Sequence, residues 1–261
     1  MMRDALGSDP RLSYGYDEEM YTAPMRTLFA YQAQLARTSG SGEVWVTGTV
    51  PLGDTPAAQA AWGRYESAVN EALGSFPFRA LCTYDVRERP AEALERARAS
   101  HPTMGTGLTS SPCQGFVPPS DFLSEPVARV PRPPATTPCV VTVVTALDSI
   151  AEVRRLVRDT GRTGSAISRE AIDDLVLAVD EVVANGVVHG APPVWLAMWV
   201  DVAEIMVEVV DSGAGGLDPL TGFHVPDPSH AAGLWIARQQ VSDLFIGEAH
   251  GGGCRVLLVQ S

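Results

Sequence analysis

Glu181, Asn185 and His189 stand at four-residue intervals, and their side chains could do chemistry together. On an α-helix that spacing stacks them on one face, drifting slowly around the axis. Farther on, an apolar run over residues 205–210 ends in Asp211-Ser212-Gly213-Ala214-Gly215. A carboxylate can take a proton, and an amide oxygen suits a hard cation. An acid in a glycine-spaced turn completes what a Mg-nucleotide site needs. Taken singly, each piece is ordinary: an acid and an amide on a helix usually face solvent, and D-x-G-x-G is usually a turn. The order, on a helix and then at a strand end, gives the combination its weight.

The elements that must position these residues are legible nearby. Residues 139–144 are short and β-branched, a strand pattern. Asp148 offers an N-cap for a helix through Ile150, Val153, Leu156 and Val157, which Gly161 and Gly164 should break. Ser168 caps the next helix, with Glu170 in its first turn. There Ala171, Leu175, Ala178 and Val182 form an apolar stripe, which leaves Glu181, Asn185 and His189 on a neighbouring face. Strands follow over residues 194–202 and 204–210, a helix over 232–241, and closing strands over 244–246 and 255–259. These patterns predict helices layered on one face of a mostly antiparallel, mixed sheet.

On these residues the chain resembles the histidine-kinase-like ATPase family, and within it the anti-sigma regulatory factors that act as serine kinases. The resemblance spans residues 136–260. It implies Mg²⁺ and ATP as cofactors, with Asn185 as metal ligand and Glu181 as general base. It gives Asp211 the adenine amino group and places Gly213 and Gly215 where the backbone bends close to the base. Gly233, Leu234 and Cys254 are further nucleotide contacts by the same resemblance. His189 has a second reading, as a cap of the helix C-terminus. Two departures stand out. In Ser229-His230-Ala231-Ala232-Gly233-Leu234-Trp235, Ala231 replaces a usual glycine and Ala232 a usual polar or basic residue; Cys254 replaces a usual threonine. A thiol hydrogen-bonds less well than a hydroxyl.

The first half reads as helix, strand, helix, strand, helix, a small α/β unit. Its central helix, over residues 57–73, carries Ala58, Ala61, Trp62, Tyr65, Val69 and Leu73 at core-facing spacing. Here Trp62-Gly63-Arg64-Tyr65-Glu66, Asn70, Leu81-Cys82-Thr83-Tyr84-Asp85 and His101-Pro102 resemble the MEDS-type sensory domains. The resemblance implies a sensory role and a partial domain. In the plainer reading Trp62, Tyr65 and Tyr84 are core aromatics, and Glu66 and Asp85 pair with Arg64 or Arg79. The domain organisation is thus a MEDS-like unit over 1–105, a linker over 106–137 and an ATPase-like domain over 138–261. Nine prolines between Pro102 and Pro138 predict an extended tether, since each removes a backbone donor. Pro131-Arg132-Pro133-Pro134 also has the form of a signalling-peptide ligand.

Over the whole chain, 261 residues with 45% apolar and 19% charged content describe a globular protein. A formal net charge of −12 argues against nucleic acid and suits a basic protein partner. No apolar run reaches the ~20 residues of a membrane span, and Met1-Met2-Arg3-Asp4 lacks a signal peptide's apolar core. The expectation is a cytoplasmic protein. Cys82, Cys113, Cys139 and Cys254 are scattered, which predicts reduced thiols without a structural zinc site. No histidine falls in a long dimerisation helix, which reads against a sensor histidine kinase. The expected function is an anti-sigma switch that phosphorylates a serine of an anti-anti-sigma STAS protein and sequesters a sigma factor. The family implies a homodimer. The alternative is a non-catalytic binding module that keeps the fold.

Overall fold

The computed structural model of the chain describes residues 23–38, 44–51, 55–106, 109–124, 133–136, 138–215, 217–226 and 232–261. In the first half α1 (Pro24–Thr38), β1 (Val44–Gly48), α2 (Pro56–Ala72), β2 (Phe78–Cys82) and α3 (Ala91–Ser100) follow in the expected order. β1 and β2 pair in parallel, so α2 is the crossover between them. The Thr55 hydroxyl accepts the Ala58 amide at 3.1 Å, and Pro56 opens the helix where its missing donor costs nothing. Trp62 and Tyr65 meet edge to face at 5.3 Å and join Leu28 of α1 in a buried core.

The expected ion pairs in this half do not form. Residues two apart on a helix point to different sides, so Arg64 and Glu66 diverge. Arg64 binds Asp243 and lies over the Phe245 ring, 4.6 Å from its centroid. Glu66 instead accepts the Tyr84 hydroxyl. Asp85 is held by Arg87 at 2.6 Å, and Arg79 lies over Trp45.

The predicted tether is also partly folded. β3 (Thr103–Thr106) and β4 (Thr109–Pro112) pair antiparallel, and α4 (Pro119–Leu123) buries Phe122 against α2. The prolines occupy permitted places: Pro112 ends a two-stranded ladder, and Pro119 opens a helix. Pro126, Pro131 and Arg132 lie outside the described residues.

The second half contains β5 (Val140–Val144), a 3₁₀ turn (Leu147–Ser149), α5 (Ile150–Gly164), α6 (Arg169–Val188), β6 (Val194–Val200), β7 (Ile205–Val210), α7 (Gly233–Gln240), β8 (Asp243–Glu248) and β9 (Cys254–Gln260). The strand order is β5-β6-β7-β9-β8, and every neighbouring pair is antiparallel. The expected mixed sheet is therefore purely antiparallel. Leu196, Met198, Ile205, Val207 and Leu258 alternate inward from the strands and are covered by Val157, Leu175 and Val179. This is the predicted α+β layering, with a small α/β unit before it.

One local expectation fails. Asp148 does not cap α5: it sits inside the 3₁₀ turn, and Ser149 occupies the cap position without a side-chain bond. The helix runs through Gly161 and ends at Gly164, within the stretch expected to break it. A β-carbon at Gly161 would stand 3.3 Å from Ile205 Cδ1, so the glycine serves close packing of helix on strand. Ser168 does cap α6, accepting the Ala171 amide at 3.1 Å.

Residues 217–226 join the two halves. Phe223 is 2% exposed and belongs to the first half's core. Buried Gln32 of α1 donates to the carbonyls of Phe223 at 2.5 Å and Ala72 at 3.0 Å, and accepts the Trp235 indole at 3.3 Å. From the other side Arg238 donates to the carbonyls of Thr221, Pro219 and Leu244 at 2.8–3.0 Å and lies 4.0 Å over the Phe223 ring. Burial lowers the Arg238 pKa to about 10, with Asp243 opposing, so the guanidinium stays charged at neutral pH.

Candidate functional site

A cavity of about 460 Å³ opens between α6, the ends of β7 and β9, residues 213–215 and 217–226, and the start of α7. That volume lies in the ordinary range of small-molecule pockets. Asn185, Asp211, Gly213, Gly215, Leu234 and Cys254 all line it, and so does His189. Glu181 and Gly233 stand beside it. A β-carbon at Gly233 would fall 2.7 Å from Glu181 Oε2 and 3.2 Å from Asn185 Nδ2. The acid, the amide and the first turn of α7 therefore meet at one corner.

The local sequence explains the geometry. The turns of α6 put Glu181 and Asn185 on its α7-facing side, while Leu175, Ala178 and Val182 face the core. His189 is the C-cap of α6, and its amide bonds the Asn185 carbonyl at 2.8 Å. It therefore stands at the C-cap position and also contributes to the cavity wall.

Asp211 follows β7 directly and is 9% exposed. Its Oδ1 accepts the amides of Gly213 at 2.8 Å and Cys254 at 3.1 Å. The carboxylate is thereby fixed, with Oδ2 against Gly190: a β-carbon there would come within 2.6 Å of it. Gly213 sits at a bend without taking a positive φ, and it gives room beside Asp211 Oδ1. Gly215 does take a left-handed φ of 73°.

Burial, helped by the neighbouring Asp180 charge and opposed by Arg154, holds the Glu181 carboxyl above its ordinary value. A more basic carboxylate is a better proton acceptor. Asp180 itself is gripped by Arg154 of α5 at 2.6 and 2.8 Å. The Cys254 thiol is pushed up to about 11 by burial and the Asp211 charge, so it is neutral. Cys254 reaches Asp211 through its backbone amide, a contact that does not depend on the threonine-to-cysteine change.

Ser229, His230 and Ala231 lie outside the described residues. Ala232 is the N-cap of α7 and provides no side-chain bond to it. The free amides of that first turn form a ready cradle for anionic oxygens. The residues present therefore fit a nucleotide: an acceptor for a base, an amide oxygen for a cation, and helix amides for phosphates.

Several wall residues had no sequence signal. Gly190 follows His189, but its reason, clearance for Asp211, appears only in three dimensions. Thr221, His224 and Trp235 reach the cavity because Phe223 and Gln32 anchor the adjoining segment.

Residues 143–259 match the family model described as histidine kinase-like ATPase domain, and residues 8–102 match MEDS, the methanogen/methylotroph, DcmR sensory domain. The second half is thus ATPase-like, a type whose site implies nucleotide binding, and the first half is similar to the MEDS domain over the matched residues. Among solved structures, one similar chain is the histidine kinase domain from the Erythrobacter litoralis EL346 blue-light activated histidine kinase. It is 15% identical over 90% of this chain and 93% of that chain, with a TM-score of 0.27. A superposition that loose leaves the fold assignment to the family match and the sheet order. No curated protein matches the chain. Among the described residues, no helix is long and apolar enough to cross a membrane.

Proposed function

We propose that the chain is an anti-sigma regulatory factor that binds Mg-ATP, phosphorylates a serine on a STAS-type anti-anti-sigma partner, and sequesters a sigma factor. The observation that carries this reading is the corner where Glu181, Asn185 and the start of α7 converge beside Asp211. Mg-ATP, when bound, supplies the transferable phosphoryl group. Asp211 Oδ2 would accept from the adenine amino group, its Oδ1 being held by two backbone amides. Asn185 would offer its amide oxygen to Mg²⁺. The amides of Gly233 and Leu234 would hold the phosphates. Glu181, with its raised affinity for protons, takes the proton of the substrate serine. A net charge of −12 suits a basic surface on the partner. The first half acts as sensor, and residues 217–226 carry its state to the pocket.

The test is calorimetric titration of the full chain with Mg-ATP beside Asn185→Ala, followed by transfer of labelled phosphate to a purified STAS protein. Saturable binding lost in the variant, together with a phosphoserine on the partner, is the expected result. Binding without transfer favours a second reading, a non-catalytic module that keeps the fold. The uncapped Ala232 at the start of α7 motivates that reading.

A further inference from the structure

The first half contains a second cluster of polar groups, far from α6 in sequence and unused by the nucleotide site. Glu66 projects from α2, Cys82 is the last residue of β2, and His101 is the C-cap of α3. One donor atom from each lies within 4.8 Å of the other two. These are three of the residue types that bind zinc, drawn from three different elements.

We propose that Glu66, Cys82 and His101 form a three-ligand site for a zinc-class divalent cation, with the fourth position open to an exogenous donor. The neighbours have the form of an outer shell. His101 Nδ1 lies 2.7 Å from the Ala97 carbonyl, which it meets as a donor and which leaves Nε2 as the free lone pair. The Tyr84 ring meets His101 edge to face at 5.8 Å, and its hydroxyl donates to Glu66 Oε1. Ser100 Oγ lies 3.4 Å from Glu66 Oε2, and Asn70 fixes the Ser100 carbonyl at 2.7 Å.

Zinc–ligand bonds of about 2.0–2.3 Å put tetrahedral donors roughly 3.5 Å apart, so side-chain rotation within this cluster suffices to close it. Glu66 is buried, whereas Cys82 and His101 are part-exposed, which leaves a way in. Without a cation, burial favours the neutral form of each group: it raises Glu66 to about 8 and Cys82 to about 12, and lowers His101. A bound dication supplies the missing charge and turns the same burial into an advantage. Three protein ligands and one open position are the arrangement of a reactive or sensing centre rather than a closed structural one. The expectation of four bystander thiols is thus revised for one of them.

The test uses the tag-free full chain, stripped of metal under a non-chelating reductant and titrated with Zn²⁺ and, separately, with Co²⁺. Expected are a single equivalent bound and a thiolate-to-cobalt absorption band that Cys82→Ser abolishes. His101→Ala and Glu66→Gln should each weaken Zn²⁺ binding at least about tenfold. Alkylation of the wild-type thiols, mapped by mass spectrometry, needs no variant: Zn²⁺ should protect Cys82 and leave exposed Cys139 reactive. The proposal is overturned by a cobalt band that survives in Cys82→Ser, by equal alkylation of Cys82 with and without Zn²⁺, or by no binding at roughly 100 µM Zn²⁺.

Discussion

Asp211 and Glu66 are both carboxylates buried at the heart of their halves, yet their surroundings differ in kind. Asp211 is held through one oxygen by two backbone amides, at 2.8 and 3.1 Å, while the other oxygen stands beside a cavity. Glu66 meets hydroxyls, a thiol and an imidazole, and burial keeps it protonated up to about 8. Main-chain donors fix an acceptor whose job is to be there; side-chain donors leave a group that waits for charge. On the readings proposed above, the first would serve recognition and the second would change state on occupation.

The largest expected effect comes from cutting the connection between the two regions. Phe223→Ala empties a ring from the first half's core and should cost about 3–5 kcal/mol in urea unfolding. It should also weaken Mg-ATP binding, because Thr221 and His224 lose their anchor. A variant that is unstable yet binds nucleotide normally would show that the regions are independent.

Asp211→Asn attacks the recognition side alone. A buried acceptor exchanged for a group that also donates should lower ATP affinity about a hundredfold, close to 3 kcal/mol, by calorimetry. Zn²⁺ uptake should not change. Gly233→Ala is milder: its methyl group must displace the Glu181 carboxylate, at about 1–3 kcal/mol of stability and with slower phosphotransfer. A melting temperature equal to wild type would contradict the crowding.

The smallest effect is a shift of pH profile. Glu181 must be deprotonated to act as base, and its affinity for protons is raised by burial and then by Asp180. Activity should therefore fall on acidification at a higher pH than for an ordinary carboxylate. Asp180→Asn removes one cause and frees Arg154, so the acidic limb should move to lower pH. A limb that moves upward would exclude Glu181 as the base.

The second half was legible because its signals are local. Ser168 as cap, the stripe through Leu175, Ala178 and Val182, and the acid that follows β7 are all set by near neighbours in the chain. What was missed is mostly non-local. The close packing at Gly161 and the folded part of the proline-rich stretch depend on partners far away in the chain, Ile205 for Gly161 and α2 for Phe122, whereas Asp148 was lost to a local 3₁₀ turn. The residues of the Glu66 cluster stand in separate motifs, and their convergence needs the parallel β1–β2 crossover. The Arg64–Asp243 contact has no local signal, because its partners lie 179 residues apart.

Gln32 has a consequence of its own. One amide group closes a circuit between Ala72, Phe223 and Trp235. Any ligand that moves α1 or α2 must alter this circuit, and so must any nucleotide that moves the start of α7. Linkage then runs equally in both directions: whatever factor an occupant of the first half imposes on nucleotide affinity, nucleotide imposes on that occupant's affinity.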